Sequence, residues 1–506
     1  MKRFLCIVIA FVFILGCAAV KNTAAYSGEF NEKLYICTMA DTTIEYLCPY
    51  SDSYFYRNNK EYSPKTSVLS LAMSMSAFSS PEYMKSSDKN KFSADNNIRK
   101  TYKSMGFINA EFYNYNVPVT NMDDKVAFAF ALKEIAGPYG KKDTLLSVIV
   151  RGGNYGGEWV SNFHIFGDYD TVDGNLEHCG FRTAAKQVYE SLNEYIRDNM
   201  SSFKGDVKLW ISGYSRGAAV ANLLSHSINA RAGSKSDFVS RCVTPENIYS
   251  YQFACPAGAR ESDVNCEVDK NIFVINSPSD VIPMMAPEKW GFSTYGNIIY
   301  LPDTMTDTAQ QYFNEILKDS KYEGVVPCSP EHTQTINQIL EVVTDSVSEQ
   351  GYFTLQSSIM KAMASSFEGE SQNSPGDSIE NNELITAVSN LIKLKYDFDL
   401  QKTINNALYA HFPEHYISLI HDDVVNDIYN SFDDDSDNIS YLIGDVNQDG
   451  QITLEDVVEI QKYLAKLIDF NVVQNAVADA SRDGEISLDD VVLIQKYIAQ
   501  LITQFE

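Results

Sequence analysis

Hydrophobic and polar positions alternate between two periods from about residue 30 to residue 300. Leu145 to Val150 (LLSVIV) is a continuous apolar run, as strands buried on both faces read. Thr183 to Arg197 carries Ala184, Val188, Leu192, Tyr195 and Ile196 at helical spacing. Val207 to Ile211 (VKLWI) predicts another strand, an Ala- and Leu-rich helix follows from Arg216 to about Ala230, and strands are expected at Ile248 to Phe253 and Asn271 to Ile275. This alternation predicts a mixed α/β sheet domain. Residues 303–400 keep a helical period broken by the polar stretch Ser365 to Asn382, which reads as a loop within a helical insertion. A second polar run, 430–441, contains Asp433, Asp434 and Asp435 and reads as an acidic linker between the body and a tail at 442–506.

The chain has 506 residues, too many for one small module. With 44% hydrophobic and 12% aromatic residues, a sizeable core can be buried. Forty basic against 67 acidic residues give a net charge of −27, a field that repels phosphate backbones and argues against nucleic-acid binding. Met1-Lys2-Arg3, an apolar run from Phe4 to Gly16 and the small residues ending at Ala25 form a basic region, a hydrophobic region and a cleavage site, so residues 1–25 are read as an export signal. No later segment reads as transmembrane. Leu15-Gly16-Cys17 is similar to an acylation box, but Leu15 stands where a small residue is usual, so cleavage is preferred over lipidation. Of the cysteines beyond the signal, Cys37 and Cys48 are the pair expected to close a local loop, and no zinc spacing occurs.

The tail repeats itself at an interval of 34 residues, from Asp445 to Asp479. Calcium takes six to eight oxygen ligands, and a 12-residue loop offers them at positions 1, 3, 5, 7, 9 and 12, with glycine at 6 for the turn. Those positions are Asp445, Asn447, Asp449, the Gln451 carbonyl, Thr453 and Asp456 in the first copy. In the second they are Asp479, Ser481, Asp483, the Glu485 carbonyl, Ser487 and Asp490. Two calcium ions are therefore expected. Aspartate at position 12 departs from the EF-hand pattern, a helix follows each loop (VVEIQKYLAKLI, VVLIQKYIAQLI), and none is expected before either. On these residues the segment from Gly444 to Ile502 resembles a type I dockerin, the module that attaches subunits of a cellulosome to cohesin domains of a scaffoldin. The resemblance implies cohesin contacts at Leu454, Glu455 and Lys462 and at Leu488, Asp489 and Lys496, and the near-identity of the copies suggests binding in two orientations. So short a tail has little core of its own, which predicts coupling of metal binding to folding.

Gly213-Tyr214-Ser215-Arg216-Gly217 has the G-x-S-x-G spacing, directly after the strand KLWIS and before a helix. In that context Ser215 is the candidate nucleophile, its flanking glycines permitting a strained turn. A serine needs a histidine to take its proton and an acid to orient that histidine. Asp280, in Ser277-Pro278-Ser279-Asp280-Val281, sits at the carboxyl end of an expected strand and is the candidate acid. His332, His411, His415 and His421 follow it. His411 is preferred because Pro413 predicts a helix start just after it, with His415 in reserve, whereas His332 and His421 read as surface residues. Oxyanion donors are expected from the backbone of Arg216 and from the loop at Gly152-Gly153.

Taken in order, VIVRGGNYGGEWVSNF at 148–163, LWISGYSRGAAVANLL at 209–224, YQFACPAGA at 251–259 and SPSDVIP at 277–283 resemble the class 3 (fungal-type) lipase family of α/β-hydrolases. The resemblance implies a Ser215–Asp280–His411 triad, a second oxyanion donor near Gly153, and no cofactor for catalysis. Tyr214 stands where that family usually has histidine, and Gly153 where it usually has serine or threonine. The expected organisation is an export signal at 1–25, an α/β-hydrolase domain at 26–429 with a helical insertion at about 303–400, a linker at 430–441 and an all-α dockerin at 442–506. The reading is a secreted, scaffold-attached lipase or carboxylesterase. An acetyl or feruloyl esterase of plant cell walls and a noncatalytic subunit that keeps the fold are the alternatives.

Overall fold

The computed structural model describes residues 30–38, 43–80, 83, 93–115, 125–137, 141–153, 170–172, 175–177, 179–260, 267–284, 288–318, 325–346, 409–431, 442–447, 451–470 and 472–505. The expected export signal, Asp449, most of the expected linker and most of the expected insertion lie outside the described residues. No described helix is long and apolar enough to cross a membrane.

The strands are β1 (Phe30–Cys37), β2 (Thr43–Tyr50), β3 (Ile108–Tyr113), β4 (Phe128–Ala136), β5 (Lys142–Val150), β6 (Asp170–Val172), β7 (Asn175–Glu177), β8 (Val207–Tyr214), β9 (Ile248–Phe253), β10 (Ala259–Arg260), β11 (Ile272–Asn276) and β12 (Asn297–Tyr300). The longer helices are α1 (Pro64–Ser76), α2 (Asn96–Ser104), α3 (Cys179–Asn199), α4 (Arg216–Arg231), α5 (Asp307–Ile316), α6 (Pro330–Ser346), α7 (Pro413–Ser431), α8 (Leu454–Leu464), α9 (Val472–Ala478) and α10 (Leu488–Ile498).

Seven strands form the central sheet in the order β12-β11-β9-β8-β5-β4-β3. From β5 to β12 neighbouring strands run parallel, while β3, β4 and β5 pair antiparallel. The LLSVIV run is therefore parallel to β8 on one side and antiparallel to β4 on the other. It is apolar but for Ser147 because both faces are covered: Leu146, Val148 and Val150 join α3 and α4 in one cluster, and Leu145 and Ile149 join α1 in another. Helices on both faces of a mostly parallel sheet make this an α/β-hydrolase architecture. β8 is the middle strand, so the turn at its carboxyl end stands over the centre of the sheet.

Helix α1 is nearly all buried although four of its thirteen residues are serine. Two of the hydroxyls meet the central sheet: Trp210 Nε1 donates to Ser70 Oγ at 2.8 Å, and Ser74 Oγ lies 2.8 Å from Ser212 Oγ. Pro64 at its first position and Ser63, whose side chain accepts from Thr66 N–H, fix its start.

The expected Cys37–Cys48 bridge is absent, and both residues are thiols. The hairpin register explains this: Cys37 pairs with Thr43 and Cys48 with Glu32, too far along the strands for their sulfurs to meet. Expectation and structure differ in the tail as well. Helix α9 ends at Ala478, directly before the second loop, so that loop does have a helix ahead of it.

Candidate active site and calcium loops

Between β8 and α4 the backbone turns so sharply that Ser215 takes φ 54° and ψ −127°. A non-glycine residue at positive φ is strained, and the turn is held by the Ser215 N–H donating to the Phe253 carbonyl at 2.9 Å. The flanking glycines do not carry the strain themselves; they provide clearance. A Cβ on Gly213 would collide with the Gly217 carbonyl, and one on Gly217 would meet the carbonyls of Val150 and Arg151, the latter at 2.6 Å. A Cβ on Gly152 would meet the Tyr214 carbonyl at 2.7 Å. The segment 150–153 thus lies directly against the elbow, beside the start of α4 where the Arg216 N–H stands. Gly153 is described, and the chain beyond it, 154–169, is not.

Three side chains from distant parts of the chain meet here. His411 Nε2 is 3.0 Å from Ser215 Oγ, and His411 Nδ1 is 2.7 Å from Asp280 Oδ2. An ionised carboxylate can only accept, so Nδ1 carries the proton and Nε2 is left to accept from the serine hydroxyl. Asp280 is fully buried, in the loop after β11, and three donors hold its carboxylate. Ile282 N–H donates to Oδ1 at 2.9 Å, while His411 Nδ1–H and Tyr416 Oη–H both donate to Oδ2 at 2.7 Å. Tyr416 Oη in turn accepts from Ser277 N–H at 3.0 Å. Burial first, then the Asp280 charge, push the Tyr416 phenol well up, so it remains a donor.

Tyr214, which departs from the pattern of the resembled family, has a definite contact. Its hydroxyl donates to the His411 carbonyl at 2.9 Å, and its ring lies 5.5 Å from the imidazole and 5.7 Å from Tyr416. The residue before the serine therefore ties the elbow to the loop that carries the histidine. Sequence reasoning missed Tyr214 and Tyr416 as donors. The only signal for either was an aromatic residue beside a site residue.

The remaining histidines have other surroundings. His415 is fully buried with Nε2 2.9 Å from Ser277 Oγ, and burial, reinforced by His332, pushes its pKa down to about 3. It packs behind the acid loop and is engaged away from Ser215. His332 and His421, expected at the surface, are both buried. His332 faces the Pro327 carbonyl at 3.2 Å, and His421 stacks on Tyr312 with ring centroids 4.2 Å apart and its pKa pushed down to about 3 by burial. Their polar sequence neighbours hid tertiary contacts made by α6 and α5. Helix α6 also reaches the acid loop, where Thr333 Oγ1 lies 2.9 Å from Ser279 Oγ.

In the tail, the two loops share one construction. Asp456 sits at the third position of α8 and accepts from Val446, Asn447 and Thr453 N–H at 2.7 to 3.0 Å. Asp490, in the same position on α10, accepts from Ser481 and Ser487 N–H at 2.9 and 2.8 Å. Each is both the twelfth loop residue and half of a helix-capping box. Gly484, sixth in the second loop, has φ +89°, as that turn requires. Asp445, Asp456, Asp479 and Asp490 are all buried. Hard oxygen donors, buried carboxylates and this turn fit a divalent hard cation, and calcium in particular. On the outer faces Leu454 and Leu488 are 61% and 66% exposed, and Glu455, Asp489 and Lys496 are exposed while Lys462 is half-buried beside Glu459. Val458 and Val492, one turn further on and not singled out by the sequence pattern, are exposed in the same way.

Sheet, elbow and the hydrogen-bonded Ser215, His411 and Asp280 define an α/β-hydrolase fold, with a small helical module after it. Comparison with known families narrows this: residues 147–290 match the family Lipase (class 3), and residues 443–499 match the Dockerin type I domain. The chain thus carries a lipase/esterase-type hydrolase domain and a dockerin. Among solved structures, similarity is found to a triacylglycerol lipase described as having a serine protease triad at its catalytic centre, at 19% identity over 37% of this chain and 63% of that one (TM-score 0.28). The chain therefore spans less than two thirds of that lipase's length. A lipase from Rhizopus microsporus var. chinensis is similar at 16% identity over 47% of this chain and 76% of that one (TM-score 0.33), and lipase II from Rhizopus niveus at 14% over 40% and 69% (TM-score 0.28). No curated protein matches the chain.

Proposed function

We propose that this protein is an exported serine ester hydrolase, a lipase or carboxylesterase, held on a cellulosomal scaffold by its dockerin. One observation carries the catalytic part: the unbroken path of hydrogen bonds from Ser215 Oγ through both nitrogens of His411 to buried Asp280. As Ser215 Oγ attacks the ester carbonyl carbon, His411 Nε2 takes its proton. Asp280 stabilises the resulting imidazolium, and the oxyanion is met by the Arg216 N–H at the start of α4 and by an N–H from the loop at Gly153. His411 then returns the proton to the departing alcohol, leaving an acyl group on Ser215. Water, deprotonated by the same nitrogen, releases the acid. The expected hydroxyl at position 153 is replaced by glycine, so stabilisation of the oxyanion rests on backbone donors.

In the tail, two calcium ions would be held by Asp445, Asn447, Asp449, the Gln451 carbonyl, Thr453 and Asp456, and by Asp479, Ser481, Asp483, the Glu485 carbonyl, Ser487 and Asp490. The ions supply charge neutralisation for carboxylates that the fold buries. Cohesin would meet Leu454, Glu455 and Lys462, or Leu488, Asp489 and Lys496, with Val458 and Val492 extending each patch.

The dockerin favours a second substrate reading, an esterase removing acetyl or feruloyl groups from plant polysaccharide, since it delivers the enzyme to cell-wall material. Turnover of short and long p-nitrophenyl esters, acetylated xylan and a feruloylated sugar separates the two. Loss of all turnover in Ser215→Ala is expected, and activity retained in that variant would refute the nucleophile. Calorimetry against a cohesin should show binding that a calcium chelator abolishes.

A further inference from the structure

The dockerin is not held by its linker alone. Helix α9, which joins the two loops, packs against α7 and against strand β2 of the N-terminal hairpin. Leu34 and Ile36 of the hairpin, Ile420 and Val424 of α7, and Val473 and Val477 of α9 belong to one continuous buried apolar cluster. At its edge Asn31 Nδ2 donates to Gln474 Oε1 at 3.3 Å, and Gln474 Nε2 reaches back to the Val446 carbonyl at 3.2 Å, beside the first calcium loop. On the other side Tyr463 of α8 lies close to Glu315 of α5, and burial, then that carboxylate, push the phenol up.

The elements so joined matter to each other. Gly444 N–H donates to the Val477 carbonyl at 2.7 Å, so the order of α9 depends on the first loop, and the second loop begins one residue after α9 ends. On the body side, α7 starts two residues after His411 and carries Tyr416. The exposed leucines and valines of α8 and α10 lie outside this contact, so both cohesin-facing patches stay open while it is made.

We infer that the hydrolase domain carries a docking surface for its own dockerin, formed by hairpin β1–β2 and helix α7, and that calcium loading of the tail thereby stabilises the hydrolase domain and the helix behind His411. A short tail with little core completes that core on the body, and metal-driven ordering of the tail becomes folding free energy for both. This inference rests on the reading of the tail loops as calcium sites.

The test uses the full chain. Trp159, Trp210 and Trp290, its three tryptophans, all precede the tail, so tryptophan fluorescence reports unfolding of the hydrolase domain alone. Calcium should raise the tryptophan-detected melting temperature by a few degrees over chelated protein. Asn31 and Gln474 are both partly exposed, so acidic replacements there leave each domain able to fold. Asn31→Asp with Gln474→Glu, which sets two like charges across the contact, should abolish the calcium-dependent rise, and Asn31→Asp with Gln474→Lys should restore it. Calcium bound by calorimetry without any movement of the tryptophan transition would overturn the coupling, as would an undiminished rise in the like-charge variant. Failure to bind calcium at all would overturn the metal reading and the coupling with it.

Discussion

Replacing Tyr416 with phenylalanine removes one oxygen and keeps the ring that packs 5.7 Å from Tyr214. That oxygen serves two buried partners: it donates to Asp280 Oδ2 at 2.7 Å and accepts from Ser277 N–H at 3.0 Å. A hydrogen bond to a charged group contributes about 1.5–3 kcal/mol, and the orphaned N–H adds about 1 kcal/mol or more, so the variant should be about 3 kcal/mol less stable. For a domain of about 400 residues, with an unfolding entropy of about 2.1 cal/mol/K per residue, that is a fall in melting temperature of about 4 °C. The carboxylate keeps Ile282 N–H and His411 Nδ1–H but loses its third anchor. Looser orientation of Asp280, and through it of His411, should lower kcat roughly tenfold, equivalent to about 1.4 kcal/mol, with KM little changed. Thermal melts and initial rates on a p-nitrophenyl ester read both effects. A melting temperature within a degree of wild type together with an unchanged kcat would refute the role assigned to this hydroxyl.

Acid should weaken the fold through its buried imidazoles. His415 and His421 have pKa values pushed down to about 3 against 6.5 for a free imidazole, so the unfolded chain protonates first. Their contribution is intact above about pH 6.5 and is lost as the pH falls toward 3, at about 2 kcal/mol each between pH 7 and 5. Urea midpoints at pH 7, 6 and 5 should fall accordingly, and His421→Phe should remove about half of the slope; an unaltered slope in that variant counts against the assignment. Gly217→Ala drives a methyl group into the carbonyls of Val150 and Arg151, backbone that cannot swing aside, and should cost about 3 kcal/mol in the urea midpoint along with most esterase turnover. A stable, active Gly217→Ala protein would show that the elbow has room the structure denies it.

How much of this molecule was legible in its sequence depends on how local each feature is. The strand, sharp turn and helix around Ser215 occupy one continuous stretch, so period and spacing were enough to read them. The tail loops were legible for the same reason, each packing its oxygen donors into twelve residues. Pro413 marked the helix start that leaves His411 in a loop. Contacts closed over long separations left no such trace. Tyr214 and His411 are 197 residues apart, and Tyr416 and Asp280 are 136 apart. His421 sits among aspartates in sequence, yet its ring is covered by Tyr312 from another helix. The cysteine pairing failed because spacing along the chain says nothing about register across a hairpin. Strands β3, β4 and β12 were not marked by the pattern. β3 and β12 form the sheet's edges, and β12 alternates half-buried and exposed positions in place of an apolar run.

The proposed reaction turns on the Ser215 oxygen as the atom that attacks the ester. Treating the full chain with a p-nitrophenyl alkylphosphonate, an acyl-transfer mimic that phosphonylates an activated serine, and mapping the adduct by peptide mass spectrometry tests it directly. One adduct is expected, on Ser215, formed in step with loss of esterase activity and suppressed in His411→Ala. An adduct on any other residue, or activity that survives full modification of Ser215, would contradict it.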